Sequence, residues 1–386
     1  MMNKIDRWRD MPAAQVAARS FDAAAIVDTA IAIQQIPAPT FDEGARGTYV
    51  AEQMRSLGLH DVTIDAIGNV YGRRPGQNAR PALLIAAHLD TVFPASTDLR
   101  IRREGTRIYG PGLGDNSLGV AALLHLARVL ETYQLPHAGD IWFVANVGEE
   151  GLGDLRGMRA AVERLHSQVD AAIALEGTGP DRIIHAGLGV RRYRISAAAN
   201  GGHSWADFGA PSAIHALVRL AARLSQLNAP REPRSSFNIG VIEGGNSVNT
   251  IAAAASLLLD LRSVAPQALE ALVTQVEHAL AAARAAEPGI TFTLETVGDR
   301  PAGSTTVTHS LVRAAVAAYR AEGFAAALDI ASTDANIPLS RGIPAVCVGI
   351  GDGENEHRLD EYIEPARIPA GMRALLRLVL TATGAG

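Results

Sequence analysis

Short, continuously apolar segments alternate along this chain with segments of helical periodicity. Four apolar runs are typical of strands that are buried on both faces of a sheet, at 83–87, 141–144, 172–175 and 345–348. Helical patterns lie between and beside them, at about 43–57, 117–133, 154–166, 308–321 and 366–382. Because strands and helices alternate, the sequence predicts an α/β fold with a mostly parallel central sheet and helices on both faces.

The middle of the chain has a different order of elements. Strand patterns occur at 191–198, 237–242, 255–262 and 290–297, and helical patterns at 214–227 and 266–286. The resulting β-α-β-β-α-β order is that of a ferredoxin-like α+β domain. Since 386 residues are too many for one ordinary core, we predict an inserted domain at 187–299. Residues 1–186 and 300–386 would together form the larger, catalytic domain.

The composition excludes several classes of protein. Hydrophobic residues make up 48% and charged residues 19%, so the chain can bury a large core. The net charge is −5 and no block of Lys and Arg occurs, which argues against a nucleic-acid partner. The single cysteine, Cys347, excludes a disulfide framework and a structural zinc site built on cysteines within the chain. The N-terminus lacks the apolar centre of a signal peptide, and no segment is long enough to span a membrane, so we expect a cytoplasmic protein.

Histidine and acidic residues follow each of the four predicted buried strands. The carboxyl ends of strands in open α/β sheets are where ligand sites form, and these side chains carry the nitrogen and oxygen ligands that zinc accepts. The residues are His88 and Asp90 after the first strand, Glu149 and Glu150 after the second, Glu176 after the third, and His357 in the loop after the fourth. This placement predicts a metal site.

Single motifs leave alternatives open. Asp90 could support the ring of His88, as carboxylates do for metal-bound histidines, or both could lie in a polar turn. Asp115 follows a Gly-rich stretch, 110–114, and taken alone it is better explained as a helix N-cap. His357 is followed and preceded by acidic residues, which we expect to orient and polarise its ring.

The pair Glu149-Glu150 is the most informative motif. Two adjacent carboxylates at the end of an apolar strand repel each other and are costly to desolvate, and a cation would remove that cost. Successive side chains of an extended chain point in opposite directions. One carboxylate could therefore bind metal while the other faces the substrate as general base; two solvated acids in a loop are the alternative.

Taken together, these motifs resemble the zinc peptidase family that includes peptidase T, carboxypeptidase G, acetylornithine deacetylase and succinyl-diaminopimelate desuccinylase. The resemblance extends over nearly the whole chain in the family's order. The matching stretches are AHLDTV at 87–92, GLGDN at 112–116, GEEG at 148–151, LEG at 175–177, GHS at 202–204 and HRLDE at 357–361. The stretch STDAN at 332–336 resembles peptidase T in particular.

The resemblance implies two divalent metal ions, with zinc expected and cobalt or manganese as alternatives. The implied ligands are His88 and Glu176 on one ion, Glu150 and His357 on the other, and Asp115 between both. Asp90 would support His88. Glu149 would be the general base that takes a proton from metal-bridging water, which attacks the amide carbonyl, and passes it to the leaving nitrogen.

The same resemblance implies roles for the inserted domain, as lid and as the interface of a homodimer. His203 would stabilise the oxyanion, from its own subunit or across a dimer. Asn249 and Arg262 would bind the substrate carboxylate, although without the family a turn asparagine and a surface strand arginine are the favoured explanations. Thr333 is the third expected substrate-binding residue.

The substrate stays open between a small peptide and an N-acyl amino acid. Glu176 is typical of the deacylase and carboxypeptidase branches of the family, whereas the stretch 332–336 indicates peptidase T. Trp205 stands where many relatives have small residues, which affects the expected shape of the pocket.

The sequence leaves three alternative functions. A serine hydrolase using Ser204 is suggested by a near match to G-x-S-x-G, but Ala206 replaces the last glycine and no helix follows at once. A dinucleotide-binding enzyme is disfavoured by the glycine spacing after the second strand. A non-catalytic relative that binds metal or peptide is the third alternative, although all expected ligands and Glu149 are present.

Overall fold

The computed structural model describes residues 12–384. The N-terminal segment for which the sequence predicts no signal peptide lies partly outside these residues, since residues 1–11 are not described. The chain divides into two compact units, one within Met1–Gly187 and Ser304–Gly386 and the other Leu188–Gly303. The inserted domain was predicted at 187–299. The second unit begins one residue after the first of these bounds and ends four residues after the second.

The helices and strands are as follows. The helices are α1 Pro12–Arg19, α2 Ala23–Gln34, α3 Gly44–Ser56, α4 Gly119–Thr132, α5 Arg156–Leu165, α6 Ala213–Leu224, α7 Pro266–Ala286, α8 Ser310–Arg320, α9 Asn336–Ser340 and α10 Ile368–Ala382. The strands are β1 His60–Ile64, β2 Val70–Arg74, β3 Leu83–His88, β4 Arg102–Glu104, β5 Arg107–Tyr109, β6 Ile141–Asn146, β7 Ala171–Thr178, β8 Arg182–Gly187, β9 Gly189–Ala198, β10 Gly202–His203, β11 Ser235–Gly244, β12 Thr250–Ile251, β13 Ala254–Ser263, β14 Thr291–Arg300, β15 Gly303–Ser304, β16 Ala327–Ala331, β17 Ala345–Glu354 and β18 Tyr362–Glu364.

The first unit is built on one large sheet with the order β1-β2-β6-β3-β7-β17-β18-β5-β4. The four predicted strands, β6, β3, β7 and β17, are adjacent and parallel. Strands added at both edges are antiparallel, so the sheet as a whole is mixed. The predicted parallel centre is therefore confirmed.

Both faces of this sheet are covered, which explains the continuous apolar runs of its central strands before their carboxyl ends. Leu83, Ile85 and Ala87 of β3 belong to a core that includes side chains of α2, α4, α8 and α10. Leu84 and Ala86 point to the opposite face, into a core that includes side chains of α5 and α9. Alternate residues of one strand thus fill two different cores, and the prediction of helices on both faces is confirmed.

The second unit has a four-stranded antiparallel sheet with the order β11-β13-β9-β14. Side chains of α6 and α7 share one core with alternate residues of this sheet, among them Leu257, Leu259 and Leu261 of β13. The order and connection of elements are those of the predicted ferredoxin-like pattern. β11 lies at the edge of the sheet and is mostly exposed over its second half.

Some elements were not predicted or begin elsewhere. The short strands β1, β4, β5 and β18 and the helices α1 and α2 have no counterpart among the predicted elements. α4 begins at Gly119 rather than 117, because an irregular helical turn, Leu113–Leu118, precedes it. Among the helices of residues 12–384, none combines the length and apolar character that crossing a membrane requires.

Candidate metal centre

Two groups of metal-ligand side chains occur within residues 12–384, and they share Asp115. One group is His88, Asp115 and Glu176, and the other is Asp115, Glu150 and His357. Within each group the potential ligand atoms lie within 4.8 Å of one another. The structure thus brings together all five side chains for which the family resemblance implies metal binding.

The ligand side chains come from the carboxyl ends of the central parallel strands. His88 is the last residue of β3, Glu176 lies near the end of β7, and Glu150 follows β6 after a short turn. His357 lies in the loop between β17 and β18, and Asp115 lies in the irregular turn before α4. Since β6, β3, β7 and β17 are parallel neighbours, their carboxyl ends meet at one edge, as expected for sites in open α/β sheets.

The ligand atoms of each group lie close enough together to surround one zinc-type ion. His88 Nε2 lies 3.1 Å from Asp115 Oδ1 and 3.6 Å from Glu176 Oε2. His357 Nε2 lies 3.0 Å from both Asp115 Oδ2 and Glu150 Oε1. Ligands about 2.0–2.2 Å from a tetrahedral zinc ion are about 3.3–3.6 Å from one another. Three of these pairs lie at hydrogen-bond distance, so the ligand atoms would move apart by a few tenths of an ångström around a cation. The donor types suit one cation per group, with one oxygen of Asp115 directed to each.

The carboxylate of Glu150 is buried and those of Asp115 and Glu176 are half-buried beside it, so this centre needs positive charge nearby. Burial, with the neighbouring Asp115 carboxylate, raises the pKa of Glu176 to about 8 and that of Glu150 to about 7. Hydrogen bonds to Asp115 and Glu150 raise the pKa of His357 to about 11. The protein groups alone thus hold protons to balance the buried negative charge. Divalent cations would displace those protons, because metal ligands bind in their deprotonated forms.

Asp90 organises both His88 and the turn that carries Glu149 and Glu150. Its buried carboxylate accepts hydrogen bonds from Glu149 N at 2.9 Å, Glu150 N at 3.0 Å and the Thr40 hydroxyl at 2.9 Å. His88 Nδ1 lies 3.0 Å from the backbone oxygen of Asp90 and 3.5 Å from its carboxylate. A carbonyl oxygen only accepts, so Nδ1 carries a proton and Nε2 is the ring nitrogen directed at Asp115 and Glu176.

Glu149 lies beside this centre and is buried, with 7% of its surface exposed. A second buried acid, Asp334, influences it electrostatically. Asp334 accepts a hydrogen bond from Asn146 Nδ2 at 2.7 Å, and burial together with the Glu149 carboxylate raises the pKa of Asp334 to about 7. Sequence reasoning identified the stretch 332–336 but assigned no role to Asp334, whose burial has no signature in the local pattern.

The expectation about the acidic residues near His357 is wrong. The carboxylates that contact its ring are Asp115 and Glu150, from other loops. The acidic neighbours in sequence have other partners: Glu354 accepts from the Tyr362 hydroxyl, Glu356 from the Thr178 hydroxyl, Asp360 from Arg358, and Glu361 from backbone N–H groups of the Asp115 loop. The loop reverses direction at His357, where φ is +66°, so adjacency in sequence does not bring these side chains to its ring.

In the second unit, His203 and Asn249 lie next to each other. β10, which ends at His203, pairs with β12, and Ser204 N donates to Asn249 O at 3.0 Å. His203 Nδ1 accepts hydrogen bonds from the backbone N–H groups of Trp205 and Ala206 at 3.2 and 3.3 Å. The ring of His203 is thus oriented by its own turn.

The other two predicted substrate-binding residues lie elsewhere. Arg262 is near the end of β13 and pairs with Asp260 at 2.7 Å. It is eight residues beyond Ala254, where β13 begins close to the turn of Asn249, which corresponds to roughly 26 Å of extended strand. Thr333 belongs to the first unit, where its hydroxyl accepts from Ala335 N at 3.2 Å. The structure therefore groups His203 with Asn249 but not with Arg262.

Ser204 does not have the surroundings of a hydrolase nucleophile. After β10 the chain forms turns, and α6 begins only at Ala213. A nucleophile elbow requires a strand, a sharp turn and a helix in immediate succession. The serine-hydrolase alternative has no structural support.

Comparisons with known proteins agree with this geometry. Residues 84–381 match the sequence profile of Peptidase family M20/M25/M40. Carboxypeptidase G2 from Pseudomonas sp. (strain RS-16) is 25% identical over 359 residues, which cover 89% of this chain and 84% of that protein. A putative succinyl-diaminopimelate desuccinylase DapE from Mycobacterium tuberculosis (strain ATCC 25618 / H37Rv) is 28% identical over 317 residues, covering 80% and 85%.

A solved structure shares the fold at lower sequence identity. The tripeptidase from Staphylococcus aureus subsp. aureus Mu50 aligns with a TM-score of 0.79 and 22% identity, over 94% of this chain and 99% of that chain. The family profile spans most of the chain and includes all five clustered ligand residues. The chain therefore belongs to peptidase family M20/M25/M40 and is a metal-dependent hydrolase of amide bonds.

Proposed function

We propose that this protein uses two divalent metal ions, with zinc expected, to hydrolyse the amide bond of a small peptide or an N-acyl amino acid. The observation that carries the proposal is the pair of three-residue ligand groups that share Asp115. A protein that only binds one cation needs no second set of ligands. The complete ligand set, with Glu149 beside it, also argues against a non-catalytic relative.

We assign the ligands to the two ions according to the two groups in which their ligand atoms lie close together. His88 and Glu176 would hold one ion, Glu150 and His357 the other, and Asp115 would contribute one oxygen to each. Divalent ions at this place supply positive charge that polarises a carbonyl and makes water acidic enough to react near neutral pH. Asp90 orients His88 and holds the turn of Glu149 and Glu150 through two backbone N–H groups.

Glu149 is the proposed general base. It is adjacent to the ligand Glu150 and belongs to neither ligand group. Its backbone is fixed by Asp90, so its position relative to the ligands is set by the same carboxylate that holds Glu150. Glu149 would take a proton from the attacking water and pass it to the leaving amide nitrogen.

His203 is the proposed donor to the oxyanion, from its own subunit or from a partner. Because its Nδ1 accepts from the backbone N–H groups of Trp205 and Ala206, the neutral ring carries its proton on Nε2. An N–H directed away from the turn is what stabilisation of an oxyanion requires. Asn249 adjoins it, and we retain Asn249, Arg262 and Thr333 as candidate substrate contacts.

The protein is also proposed to form a homodimer through the second unit. β11 is an edge strand whose Val241 and Ile242 are 44% and 53% exposed. An exposed edge of this kind can pair with the same strand of a second copy. Sedimentation velocity of the parent protein and of Ile242→Lys tests this: we expect a dimer that becomes a monomer, and a monomeric parent would contradict the proposal.

The substrate classes can be separated with one panel. Metal-loaded protein would be given free-amino di- and tripeptides together with N-acyl amino acids, with chelated protein as control. Chelator-sensitive cleavage of peptides would assign a peptidase, and the released residue would identify the terminus that is attacked. Cleavage of the acyl compounds alone would assign a deacylase, and cleavage of neither class would refute the proposed substrates.

The same assay tests the base. Glu149→Gln is expected to bind metal as the parent does and to lose turnover by about 10²- to 10⁴-fold, the usual contribution of a general base. Metal content is measured on the same sample, so that loss of metal is not mistaken for loss of the base. A variant that turns over at the parent rate would refute the role of Glu149.

A further inference from the structure

Glu361 is a fully buried acid four residues after His357. Its carboxylate accepts three backbone hydrogen bonds, from Gly112 N at 2.8 Å, Gly114 N at 2.7 Å and Asp115 N at 2.9 Å. All three donors belong to the loop that carries Asp115. One carboxylate thus binds the backbone just before, and at, the residue shared by the two ligand groups.

The shape of this loop depends on its glycines. Gly112 has φ +70°, a left-handed conformation, and a Cβ there would lie 2.7 Å from Thr91 Cγ2. A Cβ at Gly114 would lie 2.8 Å from Thr178 Cγ2 and 3.2 Å from Glu361 Oε1. Without side chains at these two positions, the N–H groups of residues 112, 114 and 115 can converge on one acceptor, as in the backbone nests that bind anions elsewhere. Here the acceptor is the carboxyl group of Glu361, supplied by the protein itself.

Further bonds extend this connection to the other ligand loops. The backbone oxygen of Glu361 accepts from Gly110 N at 2.9 Å, at the start of the Asp115 loop. On the other side, Asn116 Nδ2 donates to Leu175 O at 2.8 Å, next to Glu176. The Asp115 loop is therefore held at one end by the loop of His357 and at the other by the strand of Glu176.

We propose that Glu361 is a positioning residue of the metal centre, which fixes Asp115 between the two ions by binding its loop and joining it to the loop of His357. The inference rests on the proposed metal centre. A buried carboxylate is costly unless its hydrogen bonds are satisfied, and here three donors satisfy it. Because Asp115 N is one of those donors, a change at Glu361 displaces the backbone of the shared ligand directly.

The test is metal affinity in Glu361→Gln. The amide has one oxygen where the carboxylate has two, so its NH₂ group must face at least one backbone N–H of the Asp115 loop. We expect zinc affinity, measured by competition with a chromophoric chelator, to fall about 10- to 100-fold, as for loss of groups that orient metal ligands. The absorption spectrum of the cobalt-loaded variant should change as well, because the geometry at Asp115 changes.

Glu322→Gln is the matched control. Glu322 is also a buried acid, with 6% of its side chain exposed, and it pairs with Arg373 and Arg377 of α10 at 2.6 Å. Its removal disturbs a buried charge pair away from the metal-centre loops. We expect Glu322→Gln to lower the melting temperature of the metal-free protein while keeping parent zinc affinity and the parent cobalt spectrum.

The outcomes separate the two proposals. A parent protein that binds no zinc would overturn the proposed metal centre and this inference with it. A zinc-binding parent together with a folded Glu361→Gln variant of unchanged affinity would overturn only the role of Glu361. Should Glu361→Gln not fold, Glu361→Asp decides: it keeps the charge but cannot reach all three N–H groups, so weakened zinc binding supports the role and parent affinity refutes it.

Discussion

Asp90→Asn is the substitution for which the structure allows the most detailed prediction. The Asp90 carboxylate accepts from Glu149 N on one oxygen and from Glu150 N and the Thr40 hydroxyl on the other. Asparagine has the same shape but only one acceptor oxygen. Whichever way its amide is turned, its NH₂ group faces the N–H of either Glu149 or Glu150, and that buried N–H loses its partner.

The magnitude follows from these bonds. An unsatisfied buried N–H costs about 1–3 kcal/mol, and the remaining bonds lose about half their strength when the acceptor is no longer charged. Removing the charge of Asp90 recovers little free energy, because the desolvation cost of that charge is already offset. Burial raises the pKa of Asp90, but His88 and the two N–H donors outweigh burial and hold that pKa below its ordinary value. We therefore expect the free energy of unfolding of the metal-free protein to fall by about 2–4 kcal/mol.

Urea unfolding of the chelated protein measures this change, and zinc titration of the same samples measures its effect on the metal centre. Thr40→Val is the matched control, since it removes one hydroxyl donor from the same carboxylate and leaves both backbone bonds; about 1 kcal/mol is expected. Zinc affinity should fall about 10- to 100-fold in Asp90→Asn. If Asp90→Asn is no less stable than Thr40→Val, the reasoning about the two N–H groups is refuted.

Three further predictions concern the metal ions, His203 and Asp334. Zinc at one hundred times its dissociation constant should stabilise the protein by about 2.7 kcal/mol against the chelated form; equal melting temperatures would mean that the folded protein has no preferential affinity for zinc. His203→Ala should lower kcat by about 10²-fold without changing zinc affinity, and an unchanged kcat would remove His203 from the mechanism. Because burial raises the pKa of Asp334 to about 7, the folded protein holds this proton more tightly than the unfolded chain, and stability is lost as pH rises from about 4 to about 7. Asp334→Asn should therefore be more stable than the parent at pH 8, by up to a few kcal/mol, and this difference should shrink towards pH 5; a constant difference would contradict the assignment.

The centre of the fold could be predicted from the sequence because its strands are buried on both faces. Leu83 to Ala87 fill two separate cores with alternate residues, so every position must be apolar and the run stands out. The edge strands lack that constraint. β4, Arg102–Glu104, is fully exposed, and β1, His60–Ile64, is nearly so. Their sequences differ little from those of loops. Only their hydrogen bonds to a neighbouring strand define them as strands.

The ligand side chains were also accessible to sequence reasoning, because parallel strands place their carboxyl ends at one edge. That argument placed His88, Glu150 and Glu176 at one predicted metal site, and the family resemblance then implied which of them bind metal. Of the residues that hold them, Asp90 was predicted only for its support of His88, and no role was predicted for Glu361. Asp90 and Glu361 act largely by accepting hydrogen bonds from backbone N–H groups, and a backbone donor has the same sequence signature at every residue except proline.

Asp115 shows why one motif taken alone could not distinguish a metal ligand from a helix N-cap. An aspartate after glycines and before a helix is typical of an N-cap, and that was the better explanation of Asp115 by itself. In the structure the helix α4 is preceded by Leu118, without a side-chain cap, and Asp115 has φ −108° and ψ 94°, outside the helical region. Its carboxylate contacts His88 and His357 instead. Both partners are distant in sequence. Only the fold, or resemblance to a family of known fold, could therefore distinguish a metal ligand from a helix cap.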